Sequence, residues 1–292
     1  MKETARKLLA EGTVDVVIGY GRLETGAVGA VFVTKVDDVD KLVWNDECHQ
    51  DLVVYLTRKE TKKLGRPAVV VKGCDARAAV VLANESQISL NEVYLIGMVC
   101  DGMKNMKARG GASADLPLYD RCITCQDRVP QHVNVVIGDA TKTNPLSPEE
   151  AKTKGNFARL AKLRAMSAQE RLDWWSNEFS RCVKCYACRQ NCPLCYCNQC
   201  VADKNRPVRI DTSSTLKGNF AWNILRAFHL AGRCVGCGAC ANACPAGIDL
   251  DLLNLTLAMT AEKEFGHVSG RETGAAPLIG SFSEQDKEDF IR

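Results

Sequence analysis

The stretch CVKCYACRQNCP, residues 182–193, carries the cysteine spacing C-x-x-C-x-x-C-x-x-x-C-P. The same spacing returns in CVGCGACANACP, residues 234–245. Two copies of this pattern are the sequence signature of a pair of [4Fe–4S] clusters, because cysteines three apart hold three corners of a cube and the fourth ligand comes from farther away. Tetrahedral zinc is the alternative, but zinc motifs use pairs of cysteines, whereas these runs are triplets followed by Cys-Pro.

The eight cysteines of the two runs are predicted to form two sets of four. In two-cluster ferredoxins the fourth cysteine of each run binds the other cluster. On that pattern site 1 is Cys182, Cys185, Cys188 and Cys244, and site 2 is Cys234, Cys237, Cys240 and Cys192. The small residues Gly236 and Gly238 in the second run let backbone amides approach a cluster, which raises its reduction potential.

The chain around the two runs is predicted to be helical. Residues 156–179 and 220–231 carry apolar side chains three and four positions apart, which is the period of one helix face. Together with the two runs, this part resembles the helical dicluster ferredoxin domains of heterodisulfide reductase and succinate dehydrogenase subunits. The resemblance implies a mainly α-helical dicluster ferredoxin domain with two [4Fe–4S] clusters.

The first half of the chain has a different pattern, with short apolar runs that predict strands. These runs are residues 14–19, 27–33, 68–71, 93–99 and 133–137. Helix-like segments lie between several of them, notably residues 51–64 and 76–83. Strands that alternate with helices predict an α/β domain with a largely parallel sheet. Gly19 and Gly21 match two positions of G-x-G-x-x-G, but Glu24 stands at the third, so we expect a turn rather than a nucleotide-binding loop.

The domain boundaries follow from where the apolar pattern stops. We predict an α/β domain at residues 1–140, a linker at 141–156, the ferredoxin domain at 157–261 and an extended, partner-docking tail at 262–292. The linker contains turn residues and a helix start at Ser147, with proline at the first helical position.

Composition excludes several classes of protein. The net charge of +3 is spread along the 292 residues, which gives no electrostatic case for nucleic acid. No apolar run approaches the ~18 residues that cross a bilayer. The first residues read as a short amphipathic helix rather than a secretion signal, so we expect a cytoplasmic protein. Sixteen cysteines in such a chain indicate metal sites rather than disulfides.

Four cysteines of the first half are predicted to meet at one edge of the sheet. Cys74 lies between a strand and a helix, Cys100 follows a strand, and Cys122 and Cys125 form a loop C-x-x-C. Cysteines at the carboxyl ends of adjacent strands can converge where α/β folds bind ligands. These four residues are site 3, a candidate third cluster. Buried free cysteines, which pack as small apolar residues, are the alternative.

Three segments around site 3 resemble a known family. The segments KGCDARAAV (72–80), IGMVCDG (96–102) and RCITCQD (121–127) resemble core motifs of the beta subunits of deazaflavin-reducing hydrogenases and formate dehydrogenases. The resemblance implies that the four cysteines of site 3 bind one [4Fe–4S] cluster. In that family the subunit also binds FAD and exchanges hydride with the deazaflavin coenzyme. The family opens with a glycine pair and a helix at the flavin site, and this chain starts inside that element, so we expect neither FAD nor deazaflavin to bind.

Four further cysteines have no place in these sets. They are Cys48, Cys195, Cys197 and Cys200. A fourth cluster would require Cys48 to pack against the ferredoxin domain, and a Cys₃His zinc site with His49 is the alternative. Arginines also lie beside cysteines, where they either offset the negative charge of a cluster or are ordinary solvated side chains: Arg77, Arg121, Arg181 and Arg233.

These features predict an iron–sulfur electron-transfer subunit of a multi-subunit cytosolic anaerobic redox complex, which relays single electrons through several [4Fe–4S] clusters. No acid–base pair or nucleophile indicates a catalytic residue. The resemblance implies that the partners are formate dehydrogenase, hydrogenase or heterodisulfide reductase-like flavoprotein subunits, or a ferredoxin. The alternatives are a flavin-containing oxidoreductase that exchanges hydride with a deazaflavin or nicotinamide coenzyme, and a structural zinc protein.

Overall fold

A mostly parallel sheet organises the first half of the chain in the computed structural model, which describes residues 1–108, 116–204, 206–282 and 284. Within these residues the strands are β1 (Val16–Arg22), β2 (Val28–Val33), β3 (Leu42–Val43), β4 (Pro67–Val71), β5 (Tyr94–Met98) and β6 (Val135–Ile137). Their order is β2-β1-β4-β5-β6, with β3 also paired to β1. The β1–β4, β4–β5 and β5–β6 pairs are parallel. The predicted largely parallel sheet is therefore confirmed.

The edge strand β2 runs antiparallel to β1. Only residues 23–27 separate the two strands, and a parallel crossover needs a dozen or more residues. The predicted turn at Gly19 and Gly21 is wrong, because both glycines lie inside β1. A Cβ atom at Gly19 would lie 2.5 Å from the Leu42 side chain, so glycine lets the β3 residue pack over β1.

Helices cover the sheet and build the second half of the chain. In the first domain they are α1 (Lys2–Ala10), α2 (Lys59–Lys62), α3 (Gly73–Asn84) and α4 (Asp120–Ile123). They are followed by α5 (Pro148–Lys152), α6 (Gly155–Ala165), α7 (Ala168–Ser180), α8 (Ala187–Gln190), α9 (Leu216–His229), α10 (Ala239–Ala243) and α11 (Leu250–Phe265). No helix in the described ranges is long and apolar enough to cross a membrane.

Two predicted helices are interrupted. The predicted helix at 156–179 is divided into α6 and α7, because Ser167 accepts from the Glu170 amide and Glu170 accepts from the Ser167 amide, which starts a new helix. The predicted helix at 51–64 is a 3₁₀ segment, Leu52–Thr57, followed by α2.

The predicted start at Ser147 is confirmed, with Pro148 as the first residue of α5.

The helical domain packs against the carboxyl edge of the sheet. Leu194, Leu230 and Val235 are buried in the apolar core of the first domain. At the rim of this interface Arg233 Nη2 donates to Glu85 Oε2 at 2.6 Å, and Tyr196 Oη donates to the same carboxylate at 2.8 Å. Residues of both domains therefore contribute to this core, and a second apolar core lies inside the helical domain.

The segment after α11 turns back to the first domain, although the sequence predicts an extended tail that docks a partner. Arg77 Nη2 donates to the Ser269 carbonyl at 2.7 Å, and Asn84 Nδ2 donates to the Glu272 carbonyl at 2.9 Å. Carbonyl groups of this segment thus accept hydrogen bonds from side chains of α3. The final residues of the predicted tail, 285–292, lie outside the described residues.

Glu85→Gln tests the contact between the domains. Its ion pair with Arg233 is largely buried, with side-chain exposures of 9% and 16%. Removal of one partner leaves a buried charge and costs about 3 kcal/mol, which lowers Tm by roughly 5–10 °C in thermal denaturation. Asp38→Asn is the control, because the Asp38–Lys41 pair is exposed and its loss should leave Tm almost unchanged. Equal Tm values for the two variants would contradict this description of the interface.

Candidate iron–sulfur centres

Site 1 forms where the first cysteine run meets the end of the second. Its four members line one cavity: Cys182, Cys185, Cys188 and Cys244. Lys184 and Tyr186 adopt left-handed φ values of 53° and 57°, which curl the backbone between successive cysteines. Asn219 of α9 fixes the start of this loop, because its Nδ2 donates to the Cys182 carbonyl at 2.8 Å. Cys185 is exposed, so site 1 reaches the protein surface.

Site 2 has the same loop form and is more deeply buried. Its four members line a second cavity: Cys192, Cys234, Cys237 and Cys240. Gly236 and Gly238 occupy the left-handed positions, with φ values of 73° and 68°. Burial raises the pKa of Cys234 to about 11 and that of Cys240 to about 12. Without a cation these thiols stay protonated, and a bound metal would displace the protons.

The fourth cysteine of each run lines the cavity of the other run. Cys244 lies with the first run, and Cys192 lies with the second. The structure therefore brings together the two sets of four that the sequence predicts. Asn254 of α11 adds a polar contact at site 2, since its Nδ2 lies 3.6 Å from the Cys240 sulfur.

Site 3 lies at the carboxyl edge of the sheet. Burial raises the pKa of Cys74 well above its usual value, and the nearby thiols of Cys237 and Cys125 add to the shift. Burial also raises the pKa of Cys100, and the Cys122 thiol adds to that shift. The predicted four cysteines are thus neighbours, and they also adjoin a member of site 2.

Backbone amides point at two sulfurs of site 3. The Gly102 amide donates to Cys100 Sγ at 3.4 Å, and the Asp127 amide donates to Cys125 Sγ at 3.3 Å. Such donors stabilise negative charge on sulfur. The site is therefore prepared for thiolates.

Site 2 lies between the other two sites. Its Cys237 thiol lies near enough to Cys74 of site 3 for the two charges to interact, and its Cys240 thiol lies near enough to Cys188 of site 1. This proximity orders the three sites as site 3, site 2 and site 1. A continuous series of redox centres could therefore run from the sheet edge to the surface at Cys185.

A buried polar group that the sequence argument missed supports site 3. Lys72 Nζ lies 2.7 Å from Asp75 Oδ2 and donates to Tyr20 Oη at 2.5 Å and to the Gln50 carbonyl at 2.8 Å. The Lys72 and Asp75 side chains are almost fully buried on either side of Cys74, so their ion pair fixes the start of α3. The sequence signal for this ion pair was the spacing K-x-x-D, which places a lysine and an aspartate on either side of Cys74.

Asp51 is a second buried group that the sequence argument missed. Burial raises the pKa of its carboxyl to about 8, and the nearby Asp75 carboxylate adds to the shift. The nearby Cys237 thiol opposes this rise in the pKa, and Asp51 Oδ2 has no hydrogen-bond partner among the described residues. Only folding brings residue 51 to the second cysteine run, so the sequence carried no signal for this contact.

The polar surroundings fit an anionic cluster. Arg226 of α9 is 4% exposed, and its Nε has no hydrogen-bond partner among the described residues. A buried cation without a full set of acceptors is costly unless negative charge lies nearby. Arg226 lies among thiols of sites 1 and 2, including Cys188, Cys192 and Cys240. Four thiolates around an iron–sulfur cube would supply that negative charge.

The remaining cysteines are not brought together. Cys48 is fully buried in the first domain, where its sulfur lies 3.4 Å from Asn45 Oδ1. Cys195 lies beside Cys192 at site 2, Cys200 packs in the core of the helical domain, and Cys197 is exposed. The structure thus does not assemble the fourth site suggested by the cysteine count, because Cys48 and Cys200 pack in different apolar cores and Cys197 is exposed.

The zinc alternative with His49 is not assembled either. The His49 ring packs against Tyr119, and its Nδ1 lies 2.9 Å from the Glu47 carbonyl. Across residues 1–108, 116–204, 206–282 and 284, no three His, Cys, Asp or Glu side chains converge on a position for a single metal ion.

Comparisons with known proteins agree with these features. A family model described as a 4Fe-4S dicluster domain matches residues 178–248, which include both cysteine runs. The chain is 24% identical to the "F420-dependent formate dehydrogenase subunit beta" of Methanocaldococcus jannaschii, over 75% of this chain and 76% of that protein. It is 23% identical to the "F420-dependent formate dehydrogenase 1 subunit beta" of Methanococcus maripaludis, over 94% of this chain and 90% of that protein. The predicted resemblance and the dicluster domain are thus confirmed.

Gly73→Ala tests the close packing at site 3. A Cβ atom at Gly73 would collide with the Asp127 carbonyl, so the substitution separates Cys74 from the loop that carries Cys125. We expect iron per chain to fall by about one third, because one of three four-iron sites is disturbed. Gly12→Ala is the control, since a Cβ there meets nothing within 4 Å and only the φ of +65° is strained. Full iron content in Gly73→Ala would contradict this packing.

Proposed function

We propose that this chain, which contains a 4Fe-4S dicluster domain and resembles beta subunits of F420-dependent formate dehydrogenases, is the iron–sulfur electron-transfer subunit of a formate dehydrogenase complex. The series of three neighbouring four-cysteine sites is the observation that carries this proposal. A [4Fe–4S] cluster in each site would supply one-electron transfer.

The proposed ligands are the twelve cysteines of the three sites. Site 1 uses Cys182, Cys185, Cys188 and Cys244, site 2 uses Cys192, Cys234, Cys237 and Cys240, and site 3 uses Cys74, Cys100, Cys122 and Cys125. The two shared cavities support the first two sets. The adjoining thiols and the amides aimed at Cys100 and Cys125 support the third.

The two ends of the series suggest where electrons enter and leave. Cys185 is exposed, so a partner at the surface of the helical domain could approach site 1 closely. Site 3 lies in the α/β domain, and a second partner would exchange electrons there. We propose that these partners are other subunits of the complex, such as a formate-oxidising subunit or a heterodisulfide reductase-like flavoprotein, or a ferredoxin, and that the complex is cytosolic.

A second candidate function follows from the names of the relatives. Both are described as F420-dependent, and one of them aligns with 94% of this chain. On this alternative the chain binds a flavin and exchanges hydride with the deazaflavin coenzyme. A bound flavin would supply the conversion of a two-electron hydride into single electrons for the clusters. Bound flavin distinguishes the two functions.

Analysis of anaerobically purified protein tests the proposal. We expect about twelve irons and twelve acid-labile sulfides per chain, four of each for every site, and no flavin. Stoichiometric flavin with the same iron content would instead favour the second candidate. Zinc without acid-labile sulfide would exclude both functions.

Cys74→Ser assigns the third cluster. We expect iron to fall to about eight per chain, because one site loses a ligand and the dicluster domain keeps its own. Cys197→Ser is the matched control, since Cys197 is exposed and belongs to none of the three sites. It should retain about twelve irons. Equal iron content in the two variants would remove Cys74 from the ligand set.

A further inference from the structure

Each junction between neighbouring sites contains an arginine. We infer that Arg226 and Arg121 are positioning residues for electron transfer: Arg226 raises the reduction potentials of sites 1 and 2, and Arg121 raises those of sites 2 and 3. The inference rests on the cluster ligands proposed above. It adds to them the side chains that set the reduction potentials of the three sites.

Arg226 lies between sites 1 and 2. Its Nη2 donates to the carbonyl of Cys188, a member of site 1, at 3.1 Å. Its guanidinium also interacts with the thiols of Cys192 and Cys240, which belong to site 2. The side chain is 4% exposed, so water screens its charge poorly.

Arg121 lies between sites 2 and 3. It precedes Cys122 of site 3 in α4, and its guanidinium lies 4.0 Å from the Tyr119 ring centroid. Its Nη1 donates to Asn242 Oδ1 in the helical domain at 3.2 Å. The side chain passes directly over Gly238, next to Cys237 of site 2, where a Cβ atom would lie 2.5 Å from Arg121 Cδ. The glycine thus admits the arginine to the junction.

Three other arginines near the cysteines are paired with carboxylates. Arg77, Arg181 and Arg233 form ion pairs with Asp127, Glu178 and Glu85, respectively, which compensate their charge. Arg128, which is buried and forms no ion pair among the described residues, contacts site 3 alone, where its Nη2 donates to the Cys122 carbonyl at 2.7 Å. Among the described residues, neither Arg121 nor Arg226 forms an ion pair with a carboxylate. Their charge is therefore left to act on the sites.

The direction of the effect follows from electrostatics. Reduction adds one negative charge to a cluster that is already anionic with its four thiolates, and a nearby fixed cation favours the reduced form. A cation at a junction favours reduction at both neighbours. Because site 2 adjoins both arginines, removal of either one should lower its potential.

A redox titration monitored by electron paramagnetic resonance tests this pattern in the full-length, anaerobically purified protein. We expect Arg226→Gln to lower two of the three midpoint potentials and Arg121→Gln to lower two, with one potential lowered by both. The double variant should lower that shared potential further. Arg226→Lys and Arg121→Lys keep the positive charge, so their midpoint potentials should stay close to the wild-type values.

Arg66→Gln is the matched control for the lost charge. Arg66 precedes β4, at the opposite end of the strand from site 3, and its Nη2 donates to the Asn91 carbonyl at 3.0 Å. It should leave all three potentials unchanged. Shifts in the arginine variants that are no larger than in this control, or two variants that lower the same pair of potentials, would overturn the inference.

Iron analysis separates this inference from the proposed function. About twelve irons per chain in wild type and variants, with no shift in potential, would remove only the role of the arginines. Wild-type protein without iron would remove the proposed function itself. If Arg226→Gln does not retain iron, Arg226→Lys and Arg121→Gln still decide the outcome, because site 2 must respond to Arg121 alone.

Discussion

The structure depends on the close approach of the second cysteine loop to the carboxyl edge of the sheet. This contact brings Cys237 of the helical domain next to Cys74 at the start of α3. Glycine at position 238 makes the approach possible, since a side chain there would meet Arg121 of the first domain. Without this contact, the cysteines of the dicluster domain would not lie next to the cysteines at the sheet edge.

The contact also concentrates negative charge, which the fold must offset. Three sets of four thiolates would lie in one continuous body, where low polarity strengthens repulsion between them. Buried cations occupy this region: Lys72 behind Cys74 and Arg226 between sites 1 and 2. The same charges that permit the sites to assemble would therefore also adjust their potentials. Stability and electron transfer share one set of side chains in this account.

The sequence predicted those features that local spacing determines. The cysteine spacing in 182–193 and 234–245 predicted loops whose fourth members exchange, because the ligands of a cube must follow a tight loop. The apolar, β-branched runs predicted the parallel strands. Features that depend on tertiary packing were not predictable. Arg226 meets the Cys188 carbonyl 38 residues away, and Cys48 was assigned by count to a site from which the fold separates it.

Anomalous X-ray scattering at the iron absorption edge, from crystals of the anaerobically purified protein, tests the central claim most directly. The account predicts three iron peaks, with the middle one bound by Cys192, Cys234, Cys237 and Cys240 and the outer ones by the cysteines of sites 1 and 3. The absence of the iron peak at the sheet edge would contradict this series of neighbouring sites. Two domains that lie apart, with sites 2 and 3 no longer neighbours, would contradict it as well.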